Sequence, residues 1–158
     1  MSPNEIEQAI REYLPEVMHM SLATTKGDSP WVCEVHFAYD DNLNLYFRSL
    51  ASRRHSQEIA SNPKVAGNII MQHPLNLAPK GVYFEGSAKQ LGEENELATA
   101  YGCIKHRLNP PGDILEEAKR EDGHKFYKVA VHKYYLFDAR DTKPSQKFEL
   151  SWTGHVGR

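Results

Sequence analysis

Apolar side chains at Ile6, Ala9, Ile10, Tyr13 and Leu14 recur at helical spacing behind Ser2-Pro3-Asn4-Glu5, which has the S-x-x-E form of a capping box with proline at the first helical position. The pattern predicts an amphipathic helix ending near Pro15. The period then becomes strand-like. Met18 to Thr25 reads as a strand and Lys26-Gly27-Asp28-Ser29-Pro30 as its turn. From Trp31 a second strand sets Trp31, Cys33, Val35, Phe37 and Tyr39 on an apolar face and Val32, Glu34, His36 and Ala38 on a mixed one. Asp40-Asp41-Asn42 supplies turn chemistry. Leu43 to Ser49 then alternates Leu43, Leu45 and Phe47 against Asn44, Tyr46 and Arg48, which predicts a three-strand meander.

A helix from Ser52 to about Ser61 is closed by Asn62-Pro63, and Val65 to Met71 reads as a nearly all-apolar strand. His73 to Lys80 reads as a loop. Gly81 to Leu91 reads as a long strand with Gly86 as a bulge or close-approach site, followed by a helix from Glu93 to His106. Asn109-Pro110-Pro111-Gly112 breaks the chain, and a short charged helix is expected over Asp113 to Arg120. His124 to Asp138 has a strand-rich profile and Phe148 to Trp152 reads as a last strand. Hairpin-length turns, interspersed helices and no repeated βαβ unit favour a mainly β fold, an antiparallel barrel decorated with helices. No G-x-G-x-x-G or G-x-x-x-x-G-K-[ST] loop is present, so any nucleotide must be held in another way.

At 158 residues the chain fits one domain. A net charge of -2 and a pI near 6.4 argue against a dedicated nucleic-acid binder. Cys33 and Cys103 lie far apart with no disulfide framework, and residues 1 to 20 carry four glutamates and no apolar run, so a soluble cytoplasmic protein without signal peptide or membrane span is expected. Against that neutral total, one cluster stands out. Ser49, Ser52, Arg53, Arg54 and His55 fall where a strand hands over to a helix. A helix N-terminus carries unpaired N–H groups and a partial positive charge, so cations there are mildly destabilising and an anion is favoured. With Ser52 as N-cap, Arg53, Arg54 and His55 would converge with the backbone donors on a phosphate-sized anion. A solvated basic patch on a surface helix accounts for the local sequence equally well.

The order of elements resembles the FMN-binding split-barrel proteins of the pyridoxamine 5'-phosphate oxidase-like superfamily, over roughly residues 5 to 140. The resemblance is carried by Met20 to Thr25, Gly27, Pro30, the Val35 strand, Leu45-Tyr46-Phe47-Arg48-Ser49, Ser52-Arg53-Arg54-His55, Asn62-Pro63-Lys64-Val65 and Phe84-Glu85-Gly86. It implies a split β-barrel of the FMN-binding type. Ser49, Ser52, Arg53 and Arg54 would hold the FMN phosphate, with Phe47 on the same strand and Arg48 near the ribityl chain or phosphate. The strand through Cys33, Val35 and His36 would run beside the isoalloxazine ring. The resemblance also implies a homodimer with FMN between subunits and an oxidoreductase acting on a small substrate. Two departures bear on activity. The R-x-H segment that ends true pyridoxamine 5'-phosphate oxidases is replaced by Trp152-Thr153-Gly154-His155-Val156-Gly157-Arg158, and the family's flavin-contacting Gln aligns with Gly81. The vitamin B6 reaction itself is therefore not implied.

Other constellations are weaker. Cys103 and His106 have C-x-x-H spacing without the second pair that structural zinc needs, so no metal site is expected. Cys33 and His36 point to opposite faces of one strand and cannot form a nucleophile–base pair there. No catalytic acid or base is evident. Rival readings are a non-enzymatic flavin- or haem-binding protein on the same fold, a deazaflavin in place of FMN, and a cofactor-free domain whose basic helix start takes any anion.

Overall fold

The computed structural model describes residues 1–139 and 146–154. Helix α1 (Pro3–Tyr13) starts at the capping box: the Ser2 hydroxyl accepts from Glu5 N–H at 3.3 Å and the Glu5 carboxylate accepts from Ser2 N–H at 2.6 Å. A single 3-10 turn over Leu14–Glu16 follows and leads into β1 (His19–Lys26). β1 pairs with β2 (Ser29–His36) through a two-residue turn in which Gly27 takes φ 60°, a conformation glycine adopts without steric cost. The remaining elements are β3 (Ala38–Tyr39), β4 (Leu45–Ser49), α2 (Arg54–Ser61), β5 (Lys64–Ile69), β6 (Lys80–Gln90), α3 (Glu94–Leu108), α4 (Ile114–Lys119), β7 (Lys125–Asp138) and β8 (Lys147–Ser151).

All strand pairs are antiparallel, in the order β2-β1-β5-β6-β7-β4-β3 with β8 also on β7. The expected second strand, Trp31 to Tyr39, breaks at Phe37 into β2, which pairs with β1, and β3, which pairs with β4, so the expected meander is not one continuous ladder. β4 does not hydrogen-bond to β2; it returns to the first half of β7, from Leu45↔Val129 to Ser49↔Lys125. The turn at Asp40-Asp41-Asn42 does return β4 onto β3, and β7 takes the other edge of β4. Strands β2 and β3 are consecutive in sequence yet occupy opposite ends of the sheet, and β2 packs against β4 without pairing. The sheet thus curls on itself and leaves a seam, a split antiparallel barrel.

β4 explains how two cores form. Leu45 and Phe47 enter the main core with Ile10, Met20, Leu22 and Tyr134, while Tyr46 faces a smaller cluster with Ala100, Ile104, Ile114 and Phe126 under α3 and α4. The turn before β4 is held from many sides. Asp40 Oδ1 accepts from Asn42 and Asn44 N–H, its Oδ2 accepts from the Tyr46 hydroxyl at 2.8 Å, and Trp152 Nε1–H donates to Asn42 O at 2.7 Å. Leu43 is fully buried at φ 56°, a left-handed conformation that costs a branched residue about 1–2 kcal/mol. Its carbonyl accepts from the Tyr134 hydroxyl at 2.6 Å. Among the described residues no helix is long and apolar enough to cross a membrane.

Gly86 meets both expectations placed on it. The β6–β7 register shifts between Glu85 and Gly86, and a Cβ on Gly86 would lie 2.3 Å from Ala130 O. Because that neighbour is backbone, Gly86→Ala is expected to lower stability by roughly 1–3 kcal/mol, the range for overpacking, read as a drop in the urea midpoint at unchanged slope.

Candidate functional site

The seam opens into a cleft of about 1010 Å3 between the β1–β2 hairpin, the β4–α2 connection and the C-terminal end of α3. One wall is β2, contributing Trp31, Cys33, Glu34, Val35 and His36. The opposite wall is Arg48 and Ser49 at the end of β4 with Leu50, Arg53, Arg54 and His55 leading into α2. Leu108, Pro110 and Pro111 close one side, so the chain break after α3 shapes the cleft as well as ending the helix.

The start of α2 differs by one residue from the sequence expectation. Arg53 N–H bonds to Leu50 O at 3.1 Å, closing a turn over Ala51 and Ser52, so Arg53 and not Ser52 is the N-cap, at φ −67°, ψ 148°. No side chain caps this helix. Ser52 is exposed in the turn and does not line the cleft. Its proposed place as a phosphate ligand therefore loses its local basis. Phe47 is also displaced from the expected site: alternation along β4 turns it into the main core, where it stacks on Tyr127 at 5.0 Å between ring centroids.

The basic side chains have different fates. Arg48 donates from Nη2 to Glu117 Oε2 at 2.6 Å, so α4 partly neutralises it, while its buried Nε–H has no partner. Glu117 also accepts at Oε1 from His124 Nδ1 at 2.7 Å; this hydrogen bond and that from His124 N–H hold its carboxyl below the usual range, with Arg48 adding less. Arg54 donates from Nε to Glu58 Oε2 at 3.0 Å, with its guanidinium carbon 4.3 Å from the Trp31 ring centroid. Arg53 is exposed, and among the described residues it has no carboxylate within salt-bridge distance. His55 turns inward and shares a 2.8 Å hydrogen bond between its Nε2 and Ser49 Oγ. Burial, and then the nearby Arg53 charge, push its pKa down, so it acts as a neutral partner of Ser49.

The β2 wall carries little nucleophilic chemistry. The Cys33 thiol donates to Leu22 O at 3.8 Å and is pushed up to about 11, first by burial and then by Glu34 and Glu58, so thiolate is scarce near neutral pH. His36 stands beside His19 of β1, their ring centroids 4.7 Å apart. His19 and Trp31 have no assigned role in the sequence reading, because their cross-strand and strand–helix partners are non-local. Cys103 and His106 line a separate cavity of about 630 Å3 near Asp40. Among the described residues no group of three or more His, Cys, Asp or Glu is arranged to hold a metal.

A curled antiparallel sheet with a seam that becomes a basic cleft defines a split-barrel protein. The family model described as pyridoxamine 5'-phosphate oxidase matches residues 6–138, and the chain belongs to that family. It is 30% identical over 105 residues to a UPF0306 protein of Photorhabdus laumondii, covering 65% of this chain and 73% of that protein. A heme binding protein from Mycobacterium smegmatis superposes with a TM-score of 0.73 at 16% identity, over 96% of this chain and 58% of that one. An FAD-binding protein from Mesorhizobium loti gives a TM-score of 0.64 at 19% identity, over 84% and 94% of the two chains. At such identities the superpositions establish the fold alone. The terminal segment expected to lack R-x-H lies outside the described residues from position 155 onward.

His55 gives the site a pH signature. The folded state disfavours its imidazolium, so below the ordinary value of 6.5 the unfolded chain binds more protons than the folded one. Its contribution is complete above that pH and is lost as pH falls through the depressed folded value. His55→Gln should flatten this component, seen as a smaller difference between urea midpoints at about pH 7.5 and about pH 5.

Proposed function

We propose that this protein binds FMN in the cleft as a homodimer and acts as an FMN-dependent oxidoreductase on a small substrate. The carrying observation is the start of α2: a helix N-terminus with no side-chain cap, beside the unpaired Arg53, opening into a cleft at the top of the roughly 300–1,000 Å3 range of ligand sites. When bound, FMN would supply the redox chemistry.

The chain's own residues divide the binding. Arg53 supplies uncompensated positive charge, and the first-turn N–H groups of α2 supply directed donors for the phosphate. β2, which among the described residues is an edge strand paired with β1 alone, presents its other main-chain edge to the polar edge of the ring. The FAD-binding neighbour supports a flavin in a fold of this kind. A second reading has its own observation: the His19–His36 pair in the cleft suits a haem iron, and the Mycobacterium smegmatis neighbour is a heme binding protein.

Absorbance of the purified protein titrated with FMN, and separately with haemin, decides between them. A flavin spectrum perturbed on binding supports FMN. A Soret band without flavin binding replaces it with haem. Arg53→Ala is expected to weaken FMN about ten- to a hundredfold, the value of a charge-assisted hydrogen bond, with riboflavin affinity little changed because it lacks the phosphate.

The dimer reading rests on the exposed edge of β2, where Val32 is 60% exposed. Apolar side chains on an open strand edge call for a cover. Val32→Lys should shift the protein to monomer in sedimentation velocity and lower flavin occupancy with it.

A further inference from the structure

We propose that Trp31 and Glu58 are positioning residues that hold the Arg54 guanidinium as a preset donor to the phosphoryl group of the cofactor; this rests on the FMN reading above. Arg54 is the first residue of α2, lines the cleft and is 48% exposed at its side chain. An arginine so exposed ordinarily samples many rotamers. Here it is restrained on two sides, by Glu58 one turn along α2 and by the Trp31 indole reaching across from β2. The Glu58 bond uses only Nε–H, and among the described residues neither terminal nitrogen of Arg54 has a hydrogen-bond partner, so the terminal N–H groups stay available for a planar, two-pronged contact with phosphate oxygens.

Glu58 is the telling member. Its side chain is 4% exposed, and its second oxygen, Oε1, is buried and has no hydrogen-bond partner among the described residues. A carboxylate beneath the first turn of a helix that receives an anion opposes that anion electrostatically, and a buried charge with one partner is costly. Its positive contribution is geometric: it fixes Arg54 while cancelling its charge. Arg53 and Arg54 therefore do different work, the first supplying net charge and the second supplying direction.

The test is a double-mutant cycle on FMN and riboflavin affinity, followed by flavin fluorescence, with Trp31→Ala, Arg54→Ala and the double variant. Trp31→Ala should weaken FMN roughly two- to fivefold, the worth of an exposed cation–π contact, leave riboflavin unchanged, and add nothing in the Arg54→Ala background. Trp31→Phe should recover most of the loss. Glu58→Gln keeps an oxygen acceptor for Arg54 Nε–H and should retain FMN affinity, whereas Glu58→Ala should lose it selectively over riboflavin. If Glu58→Ala does not fold, the Trp31 cycle, made at a surface position, still decides. Equal loss of FMN and riboflavin in Trp31→Ala, or additive losses with Arg54→Ala, would place the indole against the ring and overturn the clamp while leaving FMN binding intact. A wild-type protein that binds neither flavin removes the FMN reading, and the clamp with it.

Discussion

Everything in this fold that concerns the cleft follows from the way β7 shares its edges. Of its 14 residues, those from Tyr127 to Asp138 run along β6 on one side, with a shift at His132. Along the other they meet β4 first and β8 afterwards. Drawing β4 to β7 removes it from β2, the strand that nearly precedes it in sequence. The two are then left facing across a seam instead of joined by a ladder. The unpaired main-chain groups of an edge strand and the end of a central one come to border the same space. A closed barrel of the same strands would have filled that space with hydrogen bonds and left no room for a ligand.

Charge in the cleft is arranged by pairing, not by accumulation. Arg48 is answered by Glu117 from α4, and Arg54 by Glu58 within α2. His55 is kept neutral by burial. The positive potential is thereby concentrated at Arg53 and the bare helix start. That concentration fits a group with localised charge better than a diffuse polyanion, in keeping with the chain's slight overall negative charge. It also separates what holds the wall in shape from what attracts the ligand.

Features with local causes were legible in the sequence. The capping box at Ser2 and Glu5, the glycine turn at Gly27 and the bulge at Gly86 each need only neighbouring residues or a single close contact, and they stand where their chemistry puts them. The pairing of β4 with the Ala38–Tyr39 end of the preceding strand was legible, but its pairing with β7 was not, because alternation in Leu45, Phe47 and Arg48 says which face is buried and nothing about which distant strand lies alongside. The N-cap slipped from Ser52 to Arg53 because a turn closed by Leu50 O outcompeted side-chain capping propensity. Phe47 went to the core for the same reason that Arg48 reached the cleft wall, since adjacent strand residues face opposite ways. Glu117 is brought to Arg48 only by the fold, whereas Glu58 stands one turn from Arg54 along α2.

The turn at Leu43 carries a meaning for the order in which the molecule comes together. Its left-handed backbone is held by Tyr134 and, through Asn42, by Trp152, residues roughly a hundred positions later in the chain. β1 likewise waits for β5, and β4 for β7. On a ribosome the strands up to β4 emerge able to pair only as the β1–β2 and β3–β4 hairpins, without β5 and β7 and without the Tyr134 and Trp152 contacts at the turn. Pairings so distant in sequence make for slow folding and a long exposure of apolar strands. The cleft is therefore a late feature: its walls are made first, and the strand that separates them is synthesised well after both.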